Sequence, residues 1–234
     1  MSSSRSVFVA LCVLAVGCKG KPTHEEPAAA ETGSAPAPHQ PTAAELALPP
    51  ETGTPPLKTT KPIDKPIFDK LGALKFPGFN LRPFNNGERI VQRQETQTFP
   101  KLRAIIIIEP CKGTCDPMDL AKWKDKPSLK SNLAPALQQA KDTVFEVGKT
   151  DLEGAPMIFT YQLGMARDPA SGGGAYSDMY ILYYNDGVNQ ATVMAAYIDD
   201  PLPTKEALAK IAPKEDLEKV AKAFMDAYTH AWSS

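Results

Sequence analysis

The fold of this chain depends first on the stretch LRAIIIIE, residues Leu102–Glu109. Its four consecutive isoleucines, residues 105–108, are β-branched side chains that favour an extended backbone. A continuous apolar run of this length, with no alternating polar positions, is typical of a strand that is covered on both faces. The stretch therefore predicts a central β-strand.

Two further strands are predicted upstream of this run. Phe79–Pro83 is a short extended segment, and Asn86-Gly87 follows it with the residues of a tight hairpin turn, since both tolerate a positive φ. Glu88–Thr98 is a polar, extended segment, which is interpreted as an edge strand.

The segment after the isoleucine run is predicted to be helical. Asp116-Pro117 starts a helix with Asp as N-cap and Pro at the first helical position. Ser128 can cap a second helix that runs to Leu137, although Pro135 would kink or shorten it.

Four strands are predicted next, and their order indicates an antiparallel meander. Within Met157–Met165, every second residue is apolar, which places one side of the strand in the core. Glycine-containing segments separate these strands, including the three consecutive glycines of residues 172–174. The predicted strands are Asp142–Thr150, Met157–Met165, Ala175–Tyr184 and Gln190–Ile198.

The chain ends in two predicted helices. Thr204 can cap a short one, and Pro213 opens a longer one whose early Glu215 and Asp216 complement the helix dipole. One apolar stripe on the longer helix should pack on the sheet. It consists of Leu217, Val220, Ala221, Phe224, Tyr228 and Ala231. Strands, helices, four strands and a helix predict an α+β fold with an antiparallel sheet packed with helices.

This order of elements resembles the PsbP-like superfamily, which includes the DcrB-type bacterial lipoproteins. The resemblance covers residues 76–232 and lies in the aliphatic strand, in Gly154-Ala155-Pro156, in Tyr176–Tyr184 and in the terminal helix. It implies a PsbP-like α/β/α sandwich. Because members are mostly accessory or binding modules, it also implies a non-enzymatic role with no catalytic residues to transfer.

The amino terminus is predicted to be a targeting signal. Arg5 precedes a mostly apolar run, Val7–Gly17, which is too short to span a membrane comfortably and fits a signal peptide. Leu14 to Cys18 resembles the lipobox of bacterial lipoproteins, in which the cysteine is acylated and the signal is cut before it. The resemblance implies lipidation of Cys18, and Lys19 after it favours the outer membrane. An ordinary secretory signal remains the alternative.

Residues 18–66 differ sharply in composition from the remainder. Eleven of the 23 prolines fall within the 48 residues after Cys18, among Ala, Thr, Glu and Gly. Such a segment buries too little apolar surface to offset the entropy of ordering, so it is predicted to be a disordered tether. The sequence thus divides into a signal peptide (1–17), the lipidated cysteine with its tether (18–66) and one α+β domain (67–234).

Charge and cysteine spacing limit the possible functions. A net charge of −1, without a basic stripe, argues against a nucleic-acid partner. Cys111 and Cys115 form a CxxxC pair that is expected to oxidise to a structural disulfide in an exported protein. A metal site or a redox pair is the alternative, yet metal binding needs more ligands and redox enzymes favour CxxC.

The remaining candidate residues suggest no recognisable chemistry. Asp178 with Asp199-Asp200 fits no calcium loop and is interpreted as a solvated strand end. His230 is interpreted as a favourable cation at a helix end or a surface residue. The six tyrosines between Tyr161 and Tyr197 are interpreted as sheet-forming residues with hydroxyls at the rim, with an aromatic ligand face as the alternative.

The sequence therefore predicts a lipid-anchored protein of the bacterial cell envelope, without catalytic, cofactor or metal residues. Its expected partners are the membrane, through the anchor, and another envelope component. Two other hypotheses remain open: an enzyme of unrecognised class with a site near Cys111–Cys115, and a secreted structural or matrix protein.

Overall fold

The computed structural model describes residues 48–85, 88–97, 100–126, 144–167, 174–198, 202 and 204–232. All of them belong to the compact unit that spans Pro38–Ser234. Several sequence predictions lie outside the described residues. They concern Cys18, the Asn86-Gly87 turn, the helix from Ser128 to Leu137, the glycines at 172 and 173, and Asp199-Asp200.

Seven strands and four helices make up the described part of the chain. The strands are β1 (Phe79–Asn85), β2 (Ile90–Thr96), β3 (Leu102–Pro110), β4 (Val144–Leu152), β5 (Ala155–Arg167), β6 (Gly174–Asn185) and β7 (Asn189–Tyr197). The helices are α1 (Lys65–Gly72), α2 (Leu120–Lys124), α3 (Lys205–Ile211) and α4 (Lys214–Ala231). The fold is a mixed α+β fold, as predicted.

The strands form one antiparallel sheet in the order β1-β2-β3-β7-β6-β5-β4. Its second half is the predicted meander, since β4 to β7 are consecutive neighbours. The isoleucine strand β3 lies between β2 and β7, which confirms its interior position. The prediction of an edge strand at 88–98 was wrong, because β1 pairs along the outer side of β2 and leaves β1 and β4 at the two edges.

The two faces of the sheet differ in burial. Face A is the side that carries Ala104, Ile106 and Ile108 of β3, and all three are fully buried. Face B is the side that carries Ile105 and Ile107, which are only half-buried. The sequence predicts that β3 is covered on both faces, but the strand is fully buried on face A and only partly covered on face B.

Helix α4 packs on face A, against β7, β6 and β3. It begins after Pro213, with Glu215 and Asp216 in its first turn, as predicted. Its predicted stripe from Leu217 to Tyr228 is buried. The rings of Phe76 and Phe79 each form a T-shaped pair with the ring of Phe224, at centroid distances of 5.1 and 5.0 Å. This helix supplies much of the hydrophobic core.

Helix α1 was not predicted. Its N-cap is Asp64, whose side chain accepts a hydrogen bond from the Ile67 amide at 3.2 Å, and Pro66 lies in its first turn. Its other end is held by β2, because the Gln92 side-chain amide donates to the Leu71 carbonyl at 3.0 Å. The capping signal is present in the sequence but lies within the proline-rich segment.

Helix α2 starts later than predicted. Asp119, not Asp116, is its N-cap, and it accepts a hydrogen bond from the Ala121 amide at 2.9 Å. The prediction at Asp116-Pro117 was wrong because those residues are held elsewhere. The Asp116 carbonyl accepts from the Asn185 side chain at 2.7 Å, and the Pro117 carbonyl accepts from the Trp123 indole at 2.9 Å.

Residues 48–64 lie along the domain in the structure, and we call this segment the strap. The sequence predicts that these residues belong to the disordered tether of residues 18–66. Pro49, Pro56 and Ile63 of the strap are buried. The Trp232 indole also donates to the Leu57 carbonyl at 3.2 Å. The described domain thus includes the strap, and the predicted boundary at 66/67 falls inside α1.

Candidate functional site

The predicted cysteine pair lies at the end of β3 and is bonded. The two sulfurs of Cys111 and Cys115 are 1.97 Å apart, and the Cα atoms are 5.2 Å apart. Gly113 between them has φ +85°, a left-handed backbone conformation that residues other than glycine rarely adopt. The disulfide therefore closes a tight loop that this sequence can form.

The disulfide loop is attached to the β6–β7 turn beside it. The Cys111 amide donates to the Val188 carbonyl at 2.8 Å. Asp186 organises that turn, because its carboxylate accepts from the Val188 and Asn189 amides at 2.9 and 2.7 Å. These bonds and one from the Thr59 hydroxyl, at 2.7 Å, lower the pKa of Asp186 although burial opposes them. The loop, the turn and the strap thus form one connected end of the sheet.

The two cysteines at this end are bonded to each other and partly shielded from solvent. Each cysteine sulfur has the other as its partner, and Cys115 is only 9% exposed. Among the described residues, no three His, Cys, Asp or Glu side chains are grouped so as to hold a metal ion. A closed loop of this size contributes roughly 2 kcal/mol by constraining the unfolded chain.

A second cluster, at the opposite end of β6, was missed by the sequence reasoning. Asp178 is 3% exposed, and its carboxyl group accepts hydrogen bonds from the Tyr161 hydroxyl and the Tyr197 amide. Its other oxygen, Oδ1, has no hydrogen-bond partner in the described structure. The interpretation of Asp178 as a solvated strand end was therefore wrong.

The buried position of Asp178 controls its protonation. Burial raises the pKa of this carboxyl group from 3.8 to about 7, although hydrogen bonds from its own backbone amide, the Tyr161 hydroxyl and the Tyr197 amide lower it. Burial and the neighbouring Asp178 charge also raise the pKa of Tyr161 well above its ordinary value. The pair therefore holds a carboxyl group that is partly protonated near neutral pH.

Aromatic rings and a paired cation lie beside this cluster on face A. The ring of Phe159 stacks on that of Tyr180 at a centroid distance of 5.2 Å. Lys214, the first residue of α4, lies 5.0 and 5.2 Å from the ring centres of Phe159 and Tyr161 and forms an ion pair with Glu146. Its charge is thus shared between a carboxylate and two rings, which holds the start of α4 on β4 and β5.

The tyrosines do not form one ligand-binding face. Tyr183 contacts Trp123 on face B, and Tyr184 stacks near Trp232 on face A, as expected for adjacent residues of a strand. Their hydroxyls are not all at a rim, however. The hydroxyl oxygens of Tyr180 and Tyr184 are buried. Burial raises the pKa of Tyr184 to about 12.

A third cluster fastens the strap to α4, and we call it the latch. Asp226, which is 1% exposed, accepts from the Thr52 amide at 2.7 Å and from the Thr52 hydroxyl at 2.9 Å. His230, one turn later, has Nδ1 at 2.9 Å from Asp226 Oδ1 and Nε2 at 3.0 Å from the Thr54 hydroxyl. The predicted helix-end position of His230 is correct, and its ring also holds the strap.

The latch has the hydroxyl–imidazole–carboxylate order that hydrolases use, in Thr54, His230 and Asp226. In a hydrolase the carboxylate serves to orient the imidazole. Here the Asp226 carboxylate also accepts both donors of Thr52, so it binds the strap directly. The cluster therefore joins two segments of the chain that are far apart in sequence.

An open cleft of about 440 Å³ lies between the strap, the β4–β5 hairpin and α4. Its charged lining residues are Glu51 of the strap, Asp151 and Glu153 of the β4–β5 hairpin, and Lys222 of α4. Lys222 forms an ion pair with Glu218 at 2.9 Å, so the three carboxylates dominate the cleft.

Among the described helices, none combines the length and the apolar composition that a membrane-spanning helix needs.

Comparison with known proteins gives no relative for this chain. No protein-family model matches it, and neither a curated protein nor a solved structure does.

Proposed function

We propose that this protein is a lipid-anchored, non-enzymatic module of the bacterial cell envelope with a PsbP-like domain that binds another envelope component. The observation that carries the proposal is the disulfide between Cys111 and Cys115, with a sulfur–sulfur distance of 1.97 Å. Such bonds persist in oxidising compartments outside the cytosol. This supports export and agrees with the lipobox that ends at Cys18.

The use of the polar groups in the domain supports a role without catalysis. Asp226 and His230 bind the strap, and Asp186 binds both a turn and the strap. Gln92 binds the end of α1 and also accepts from the Tyr228 hydroxyl of α4. Each of these groups holds two segments together, as expected of a rigid binding or accessory module.

The alternative of an enzyme with a site near the CxxxC loop predicts free, reactive thiols. Thiol titration of the exported protein distinguishes the two. We expect no titratable thiol at Cys111 or Cys115 before reduction and two after it. Reactive thiols with a lowered pKa in the unreduced protein would favour the enzyme.

The anchor is tested with Cys18→Ala, and Cys12→Ala is the matched control because it removes a cysteine from the apolar run that precedes the lipobox. Cells are labelled with radioactive palmitate and fractionated. We expect Cys18→Ala to abolish labelling and Cys12→Ala to leave it unchanged. Labelling that survives Cys18→Ala would overturn the anchor.

Mass spectrometry of the mature amino terminus separates the anchored form from a secreted one. A chain that begins at Cys18 and carries acyl mass supports the proposal. A chain that begins elsewhere without added mass would instead support the secreted structural or matrix protein.

A further inference from the structure

Two arginines lie directly opposite each other on the first hairpin. Arg82 of β1 pairs with Arg93 of β2 in the sheet register, so both side chains lie on face B. Both residues are exposed. Like charges in directly opposed cross-strand positions destabilise a sheet. Their presence therefore suggests a use for the concentrated positive charge.

The nearest carboxylate compensates only part of this charge. Glu95 lies on the same face, and its Oε1 is 2.6 Å from Nε of Arg103 and 3.8 Å from Nε of Arg93. Its closer partner is thus Arg103. Within the described part of the chain, Arg82 has no ion pair, so the hairpin presents a net positive charge on face B.

An exposed aromatic ring accompanies the arginines. Phe84 is 62% exposed, the highest value among the large hydrophobic residues of the described structure. It lies two residues after Arg82 on the same face, directly opposite Val91, which in turn neighbours Ile107 of β3. The hairpin therefore presents cations and an apolar ring together.

The edge position of β1 favours recognition through side chains and not through backbone pairing. Pro83 lies between Arg82 and Phe84 and has no amide hydrogen to offer to an added strand. Proline on an edge strand discourages pairing with another chain. What β1 offers a partner is thus its side chains.

We propose that Arg82, Phe84 and Arg93 form a docking patch for an anionic lipid surface. Guanidinium groups bind phosphate oxygens in two-pronged fashion, and a phenylalanine ring can be buried at the boundary between headgroups and acyl chains. The positive charge and the exposed ring of Phe84 together favour a membrane surface with phosphate-bearing headgroups. The inference rests on the proposed lipid anchor, which would keep the domain beside such a surface.

The length of the chain before the domain permits this docking. Thirty residue steps separate Cys18 from Leu48, and a chain of that length spans at most about 100 Å. A domain held at Cys18 can therefore bring any of its faces to the bilayer. Binding through the patch would place face B of the first hairpin against the bilayer.

The test uses the exported full-length protein with vesicles of phosphatidylcholine alone or mixed with phosphatidylglycerol, all containing a spin-labelled lipid. Phe84→Trp places a reporter in the patch, and the native Trp123 and Trp232 are only 6% and 0% exposed. We expect the lipid to quench this tryptophan in anionic vesicles and much less in neutral ones.

The arginines are then replaced in the Phe84→Trp background. Arg82→Gln/Arg93→Gln should lower the ratio of docked to free domains about 25-fold, since each cation near an anionic surface contributes about a fivefold factor. Lys58→Gln/Lys75→Gln is the matched control, since it removes the same charge at two exposed lysines outside the patch. We expect it to change docking by less than about twofold, following the same principle.

The outcomes separate the patch from the anchor. Flotation with neutral vesicles reports the anchor, whereas quenching reports docking. Equal quenching with and without the arginines would overturn the patch. A reporter that is not quenched in anionic vesicles would also overturn it, and this is the result expected if the patch binds an acidic protein. A protein that fails to float with neutral vesicles but is quenched in anionic ones would retain the patch and overturn the anchor.

Discussion

The two faces of the sheet use polar residues in opposite ways, and β2 shows this within a single strand. Gln92 and Gln94 point to face A, where both are fully buried, and their side-chain amides donate to Leu71 and Leu74. Arg93 between them points to face B, where its side chain is 44% exposed. On face A, the polar side chains of β2 are buried and bind the segment that contains α1. On face B, the charged side chain of Arg93 is accessible at the surface.

The same contrast separates the aromatic residues. Phe224 is fully buried on α4 against face A, whereas Phe84 is 62% exposed on face B. A buried ring contributes both its transfer free energy and its packing contacts, and an exposed ring contributes little of either. Burial of aromatic rings on face A therefore stabilises the fold. The exposed ring of Phe84 on face B contributes little to the free energy of unfolding, so its presence there needs another reason.

The largest expected effect tests this contrast with one substitution at two positions. Phe224→Ala should lower the free energy of unfolding by about 3–5 kcal/mol, because it leaves a cavity beneath Phe76 and Phe79. Phe84→Ala should change it by no more than about 0.5 kcal/mol. Urea denaturation of both variants measures the difference. Similar losses would mean that face B also carries the core.

The next effect depends on pH and concerns Asp178. Since burial raises the pKa of this carboxyl group from 3.8 to about 7, the folded protein binds the proton more tightly than the unfolded chain. The stability of the protein therefore falls as pH rises from about 4 to about 7, by at most about 4 kcal/mol. Asp178→Asn removes this dependence, so it should be more stable than the native protein at pH 8 and show no such gain at pH 4.

Asp186→Asn provides a control of opposite sign. Hydrogen bonds from Asn189, Thr59 and Val188 lower the pKa of Asp186, so its ionised form stabilises the folded protein. Its replacement should destabilise the protein at neutral pH, and the difference should shrink as pH falls through the lowered pKa. Thermal unfolding between pH 3 and pH 8 measures both variants. Parallel pH profiles for the two would contradict the buried state of Asp178.

Local patterns were sufficient to predict much of the sheet. Alternation along β5 placed Met157, Phe159 and Tyr161 on one face, and the isoleucine run gave the interior position of β3. The α4 stripe was equally clear. In these elements the periodicity of burial follows directly from backbone geometry, so the residues themselves carry the information.

Features that depend on distant pairing were not predictable in this way. The polar pattern of β2 suggested an edge, because nothing in it shows that buried glutamines would meet helix carbonyls and Tyr228. The opposition of Arg82 and Arg93 requires the hairpin register. The burial of Asp178 could have been suspected, since it alternates with Tyr180 and Leu182 on β6.

The strap is the clearest case of information that lies elsewhere in the chain. Its composition suggested disorder, yet its partners Asp226 and His230 lie more than 170 residues later. Proline-rich sequence cannot bury a core of its own, but it can be held by donors and acceptors on a folded surface. The strap is attached to α4 at the latch and to the β6–β7 turn through Thr59 and Ile63.

The smallest expected effect tests the attachment of the strap at the latch. Thr52→Val keeps the side-chain shape but removes the hydroxyl that donates to Asp226 at 2.9 Å, leaving the buried carboxylate short of one donor. We expect a loss of about 1 kcal/mol in the free energy of unfolding.

Hydrogen exchange of the backbone amides at positions 52 and 63, which donate to Asp226 and Asn189, should reveal whether the strap opens from one end. Thr60→Val, at an exposed strap position, is the matched control and should leave both measurements unchanged. Faster exchange confined to the latch end would mean that the strap detaches in steps, whereas faster exchange at both amides would mean that its two attachments open together. If Thr52→Val matched the control in stability and exchange, Asp226 would not be what holds this part of the strap on α4.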